Sequence, residues 1–176
     1  MTSRHRGFFV TLALSSAFVG TVWAANATLE RFGVVSVLGI QFASGVLWVG
    51  LSFGLRDALH ETGGRRWVAA CIIVGAALSW VLSDGATIPG GVTSIAVASG
   101  AAFLLSETAD AFVYDPLRER RWIVAVVASN VVGAVVDSAL FLWLAFGSLD
   151  FLTGQVLAKV AMIALALPIV RLVRRR

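Results

Sequence analysis

The sequence predicts an all-α membrane protein with six transmembrane helices, and three observations support this prediction. Hydrophobic residues make up 59% of the 176 residues and charged residues only 14%, whereas soluble domains have about 25% charged residues. The mean hydropathy is +0.89. Six apolar segments follow one another, each close to the length that a bilayer span requires. Because no polar stretch is long enough for a soluble unit, we expect residues 1–176 to form a single membrane domain.

The apolar segments give the predicted helices in order. They cover residues 7–25, 33–55, 67–82, 92–112, 122–146 and 151–170. The first resembles a signal peptide, with a basic start and the residues Trp23, Ala24 and Ala25 near its end. We interpret it as a retained helix, because five apolar segments follow and the small-residue cleavage pattern is not cleanly met.

Short polar segments separate the predicted helices. They are a loop at residues 26–32, the charged stretch LRDALHETGGRR at 55–66, a Gly/Pro turn at 83–91, a basic turn at 115–121 and a tight turn at 147–150. Gly and Pro at these points are typical of turns. The polar segments therefore set the boundaries of all six predicted spans.

Basic residues predict the orientation in the membrane. Of the 14 Lys and Arg residues, all but Arg31 and Lys159 lie at the ends that would share one side of a six-span bundle. The positive-inside rule places that side in the cytoplasm. We therefore expect a multi-pass protein of the inner (plasma) membrane with both termini cytoplasmic. This distribution also explains the net charge of +4 without nucleic-acid binding.

Several functional classes have no support in the sequence. Cys71 is the single cysteine and lies in an apolar segment, which is typical of a packing residue. No HExxH, CxxC, P-loop or GxSxG motif occurs. We therefore predict no metal, no cofactor and no enzyme activity. An intramembrane enzyme or a purely structural bundle is the third alternative, although no activated nucleophile follows from the spacing.

Polar residues recur within the last three predicted spans. Each pair shares one helix face: Glu107 with Asp110, Asn130 with Asp137, and Gln155 with Lys159. Ionisable residues within membrane helices are costly and commonly mark a functional site. We therefore predict that the three faces meet in one polar pocket that binds a small polar solute, either neutral or cationic.

Purely structural interpretations of the same residues stay open. Asn130 is equally well read as an interhelical hydrogen-bonding group. Lys159 is the one cation deep enough to pair with Asp137, and that pair could be purely structural. Glu107 and Asp110 could be solvated or capping residues. The neighbouring residues 56 and 57 could be a local ion pair or a cytoplasmic gate of the pocket.

Five pieces of sequence carry a family resemblance. They are AAN (24–26), LRDALHETGGRR (55–66), SETADAFVYDPLR (106–118), SNVVGAVVDS (129–138) and GQVLAK (154–159). Their order and spacing resemble the VUT family, the queuosine-precursor transporters. The resemblance implies an inner-membrane importer of a deazaguanine, the cyano or aminomethyl precursor of queuosine. It also implies six helices with a fold similar to the substrate-binding subunits of energy-coupling-factor vitamin transporters.

The resemblance also implies which residues bind the substrate. They are Glu107, Asp110, Asn130, Asp137, Gln155 and Lys159. The alternative function is that of a substrate-binding subunit that needs an ATP-hydrolysing partner, since the chain has no nucleotide motif. The small-residue stripe Ala13, Ala17 and Thr21 would then be either plain packing or a docking face. A homo-oligomer is equally open.

Overall fold

The structure is a computed structural model that describes residues 3–82, 94–117 and 119–174. Its elements, in order, are α1 (Ser3–Phe32), β1 (Val34–Val37), β2 (Ile40–Ala43), α2 (Val46–Leu82), α3 (Ile95–Leu117), α4 (Trp122–Phe146) and α5 (Leu152–Arg174). The helical class is therefore confirmed, with one short hairpin in addition.

Three helical stretches among the described residues are long and apolar enough to cross a membrane. They are Gly7–Phe32, Ile95–Leu117 and Trp122–Phe146, and the apolar part of α5, Leu152–Ala166, is shorter. Such stretches are typical of membrane proteins. The total of six spans stays a prediction, because α2 carries charged residues in its middle and the apolar part of α5 is short.

The β-hairpin is the largest departure from the predicted elements. The second predicted span, 33–55, begins with two antiparallel strands in which Val37 pairs with Ile40. Leu38 and Gly39 form the turn between them, with φ of 52° and 80°, as a two-residue hairpin turn of type I′ requires. The predicted loop at 26–32 is instead the end of α1. Hydrophobicity alone cannot separate a short strand from the start of a buried helix.

The charged stretch at 55–66 is helical up to a break at one glycine. Gly64 has φ 76° and ψ 174° inside α2, a backbone conformation that glycine adopts without steric cost. The second and third predicted spans thus become two halves of α2. Pro116, predicted in a turn, lies in the last turn of α3.

The remaining turns agree with the predictions where they can be compared. Gly147 ends α4 in a left-handed conformation, and its N–H donates to the Trp143 carbonyl at 3.0 Å, as in a common glycine cap. The tight turn at 147–150 is therefore confirmed. The turn predicted at 83–91 lies outside the described residues.

Three phenylalanines join the helices in the core. The rings of Phe53 and Phe103 stack with centroids 5.3 Å apart, and Phe18 meets Phe103 edge-on at 5.7 Å. These contacts connect α1, α2 and α3. Cys71 is buried in the same cluster, as expected for a packing residue.

Candidate functional site

A buried ion pair joins α4 to α5 in the half of the bundle that carries the hairpin. Lys159 Nζ donates to Asp137 Oδ2 and also to Ser138 Oγ at 2.9 Å. The two charged side chains are 2% and 6% exposed. A buried charge requires a partner of opposite sign, so each residue neutralises the other.

A narrow pocket lies beside this pair. We call it the hairpin-end pocket; its walls include Asn26 of α1, Ala43 of β2, Ser99 of α3, Gln155 of α5 and Asp137 of α4. Its cavity volume is about 20 Å³, which is room for about one water molecule. As it stands in this structure, the pocket is therefore too small for a solute much larger than water.

Close packing of α2 on α5 brings Lys159 into this position. Gly50 and Gly54 face α5 at the spacing of a GxxxG motif, which allows two membrane helices to approach closely. A Cβ atom on Gly50 would lie 2.5 Å from the Cβ of Met162 and 3.1 Å from the Cα of Lys159. A Cβ on Gly54 would collide with Ala166. The glycines thus bring α2 directly onto the face of α5 that carries the lysine.

Two more glycines hold the hairpin against the pocket. A Cβ on Gly154 of α5 would collide with the Gln41 carbonyl, and one on Gly45 would collide with the Ala25 carbonyl. The Ser44 hydroxyl also donates to the Thr28 carbonyl at 3.0 Å. The hairpin is therefore packed on both α5 and α1, with Ala43 in the pocket wall.

A second buried cluster surrounds Arg56 of α2. Its guanidinium donates to the carboxylates of Asp57 at 2.6 Å, Glu107 at 2.9 Å and Asp110 at 3.3 Å. It also donates to Asn130 Oδ1 at 3.4 Å, and Asn130 Nδ2 donates to Asp57 Oδ2 at 2.9 Å. We call these five residues the Arg56 cluster. Because they come from three helices, the cluster ties α2, α3 and α4 together.

The Arg56 cluster borders a small cleft near the basic helix ends, with a cavity volume of about 20 Å³. The cleft is also lined by His60, Glu61 and Arg65. The Arg56 side chain is 2% exposed, but those of Asp57 and Glu107 are 18% and 28% exposed. One arginine faces three carboxylates, so the excess negative charge lies where the cleft admits solvent.

The six predicted site residues therefore form two groups instead of one. Asp137, Gln155 and Lys159 line the hairpin-end pocket, whereas Glu107, Asp110 and Asn130 belong to the Arg56 cluster. Seven residues separate Asn130 from Asp137 on α4, or roughly 10 Å along the helix axis.

Phe53 lies between the two groups. A Cβ placed on Gly133 of α4 would be 3.4 Å from the Phe53 ring. Gly133 lies between Asn130 and Asp137 in sequence. The ring therefore packs against the part of α4 that separates the two groups.

Two residues of these sites lie deeper than the sequence predicts. Arg56, expected to form a local interfacial pair with Asp57 or a cytoplasmic gate, does pair with Asp57 but is 1% exposed and central to its cluster. Asn26 was assigned to a loop, yet it is 4% exposed and faces the pocket from α1. The GxxxG motif at Gly50 and Gly54 was available in the sequence as a sign of close packing, but nothing in the sequence indicated the depth of Arg56.

A comparison with known families identifies the chain. A family model described as "Putative vitamin uptake transporter" matches residues 83–173, more than half of the 176 residues. The chain belongs to this VUT family. No curated protein and no solved structure matches the chain.

The match covers the part of this VUT transporter that carries the predicted site residues. Helices α3 and α4 and most of α5 lie within residues 83–173, as do all six of those residues. Asn26, Arg56 and the glycines of α2 lie outside the match. Both polar groups of the VUT chain are thus built jointly by matched and unmatched helices.

Proposed function

We propose that this VUT protein imports a queuosine precursor, cyano- or aminomethyl-deazaguanine, across the inner membrane into the cytoplasm. The observation that carries the proposal is the buried Asp137–Lys159 pair beside the hairpin-end pocket. Charged residues inside a membrane bundle are rare and mark solute or ion pathways. Membership of a transporter family supports transport and not catalysis as the role of this pair.

The chemistry of the pocket suits a deazaguanine. Lys159 donates to Asp137 Oδ2, and the Asp137 carboxylate lines the pocket. A guanine-like edge has adjacent N–H donors for a carboxylate and a carbonyl that Gln155 or Lys159 can donate to. Phe141 adds an aromatic ring to the pocket wall. A few polar groups in an otherwise apolar cavity are typical of small-molecule sites.

Transport requires the pocket to open, because the cavity in this structure is too small for a double-ring solute. We propose that the solute enters from the hairpin side and leaves toward the basic helix ends, with access alternating between the two faces. Glu107, Asp110 and Asn130 would contact the solute on its way out, once the hydrogen bonds of the Arg56 cluster separate. Arg56 and Asp57 would then form the cytoplasmic gate.

The same proposal includes the membrane arrangement. We propose a single membrane domain of six spans with both termini in the cytoplasm, in which α2 supplies two spans on either side of Gly64. Its fold would resemble the substrate-binding subunits of energy-coupling-factor vitamin transporters. The basic residues near Gly64 and between α3 and α4 support this orientation.

Uptake of radiolabelled precursor by cells that cannot synthesise it tests the function. We expect Asp137→Asn to abolish uptake while the protein still inserts in the membrane, because the amide carries no charge to balance Lys159 and has a donor in place of one acceptor oxygen. Asp150→Asn is the matched control, since Asp150 is exposed in the turn after α4. Full uptake by Asp137→Asn would refute the assignment of the site.

A partner-dependent subunit is the second candidate function. Of the small-residue stripe on α1, Ala13 and Ala17 are exposed, whereas Thr21 is buried and donates to the Phe18 carbonyl. Small exposed residues allow another membrane helix to approach. Uptake by the purified chain alone in liposomes distinguishes the two candidates. Uptake without ATP and without other proteins supports the self-sufficient importer, whereas binding without uptake supports a subunit that needs an energy-coupling partner.

A further inference from the structure

One buried side-chain atom in the part of the chain that the structure describes has no hydrogen-bond partner. Asn26 Nδ2 is the single buried side-chain nitrogen or oxygen there without a hydrogen-bond partner. The Asn26 side chain lies in the wall of the hairpin-end pocket, and the residue is 4% exposed. An amide donor is therefore held at the pocket with nothing to donate to.

Leaving such a donor unpaired is unfavourable for the empty protein. A buried polar group without a partner retains the full cost of losing its water, whereas an apolar group of similar shape at the same place does not. Asn130 shows the opposite situation, because its Nδ2 donates to both Asp57 Oδ2 and the Val126 carbonyl. Asn26 Nδ2 therefore contributes no hydrogen bond to another described protein group in this structure.

The pocket presents a donor and an acceptor from two different helices. Asn26 Nδ2 of α1 is an unpaired donor, and the Asp137 carboxylate of α4, an acceptor, lines the same pocket. A solute that binds both must carry an acceptor and a donor on one small frame. A planar ring amide, with its carbonyl and N–H groups, has this combination.

We propose that Asn26 is a specificity-determining residue, which donates a hydrogen bond from Nδ2 to the ring carbonyl of the transported heterocycle. This inference rests on the proposed function and goes beyond it, since it adds a residue of α1 to the site. Asn26 selects heterocycles with a ring carbonyl over analogues that lack it, because those analogues leave the amide unpaired. Asp137 then binds the N–H groups of the same solute.

The first measurement needs no ligand. We expect the full-length Asn26→Leu protein, purified in detergent, to melt at the same temperature as the wild type or higher, because an unpaired buried amide has been removed. Asn130→Leu is the matched control and should melt lower, since it loses hydrogen bonds that the structure contains. A lower melting temperature for Asn26→Leu would overturn the inference, because it would mean that the amide has a structural partner.

The second measurement is a chemical double-mutant cycle. The two probes are 7-cyano-7-deazaguanine and the same molecule with hydrogen in place of the ring carbonyl oxygen. The wild type should bind the carbonyl compound about tenfold more tightly, and Asn26→Leu should bind both with nearly equal affinity. Removing the oxygen also alters the adjacent ring N–H, which affects both proteins. The decisive quantity is therefore the difference between the wild type and Asn26→Leu in their preference for the carbonyl compound. A preference that persists in Asn26→Leu overturns the inference.

The two measurements separate this inference from the proposed function. If the wild type binds neither probe, the deazaguanine assignment is wrong, and the melting comparison still decides whether the Asn26 amide is unpaired. If the wild type binds both probes equally, the solute assignment survives and the role of Asn26 does not.

Discussion

The Arg56 cluster and the hairpin-end pocket use the same kinds of residues in opposite ways. Around Arg56, the Nε, Nη1 and Nη2 atoms all donate to carboxylates, and Asn130 is bonded on both its oxygen and its nitrogen. In the pocket, Asn26 Nδ2 has no partner among the described residues. A complete network stabilises the packing of helices, whereas an unpaired buried donor is costly in the empty protein.

The two regions also balance charge differently. The Asp137–Lys159 pair is neutral and closed off, with side chains 6% and 2% exposed. The Arg56 cluster carries excess negative charge, and its Asp57 and Glu107 carboxylates reach solvent at the cleft. Excess charge is tolerated only where water or counterions can reach it. The comparison therefore supports our proposal that the solute binds at the pocket, and it shows that the Arg56 cluster ties three helices together.

The largest expected effect on stability comes from the Asp137–Lys159 pair, where a double variant separates the role of the charges in stability from their role in binding solute. Replacing Asp137 alone leaves Lys159 buried without a counterion, which typically costs about 3–5 kcal/mol. The double variant Asp137→Asn with Lys159→Met removes both charges, so we expect its melting temperature to recover toward that of the wild type. Uptake should stay absent, because the binding groups are gone. Recovered uptake together with recovered stability would mean that the pair is only structural.

The next effect tests the Arg56 cluster. Arg56→Leu leaves the Asp57, Glu107 and Asp110 carboxylates without their shared cation, so we expect a loss of about 3–5 kcal/mol in stability. Arg65→Leu is the matched control, because the Arg65–Asp115 pair is about half exposed and such pairs contribute about 0–1 kcal/mol. Thermal unfolding of both variants in detergent measures the difference. Equal losses for the two arginines would contradict the assigned role of the cluster.

The smallest expected effect concerns the packing that supports the pocket. Gly54→Val places a side chain against Ala166 and should lower stability by about 1–3 kcal/mol, because α2 and α5 must move apart. Gly20→Val is the matched control, since a Cβ at Gly20 meets nothing within 4 Å. Melting curves of the two variants make the comparison. A tolerated valine at Gly54 would show that close contact of these helices is unnecessary.

The sequence by itself determined the helical class, the family and the residues worth inspecting. Apolar segments of span length located α4 at its observed bounds, and Gly147 marked its end. The polar residues Asp137, Gln155 and Lys159 could be identified from the sequence, because polar and charged side chains inside apolar segments are costly and commonly mark a functional site. The match to the VUT family agrees with the resemblance that the motifs carry.

Only the tertiary structure decided how the polar residues are grouped and which of them have partners. The prediction that all six meet in one pocket assumed that the three shared faces converge. Instead, Glu107 and Asp110 of α3 bind Arg56 of α2, and they join Asn130, which lies seven residues before Asp137 on α4. The hairpin at residues 34–43 stayed hidden because a short apolar strand and the start of a buried helix have the same composition. Hydrogen-bond completeness, which separates Asn26 from Asn130, depends on distances between helices that sequence spacing does not contain.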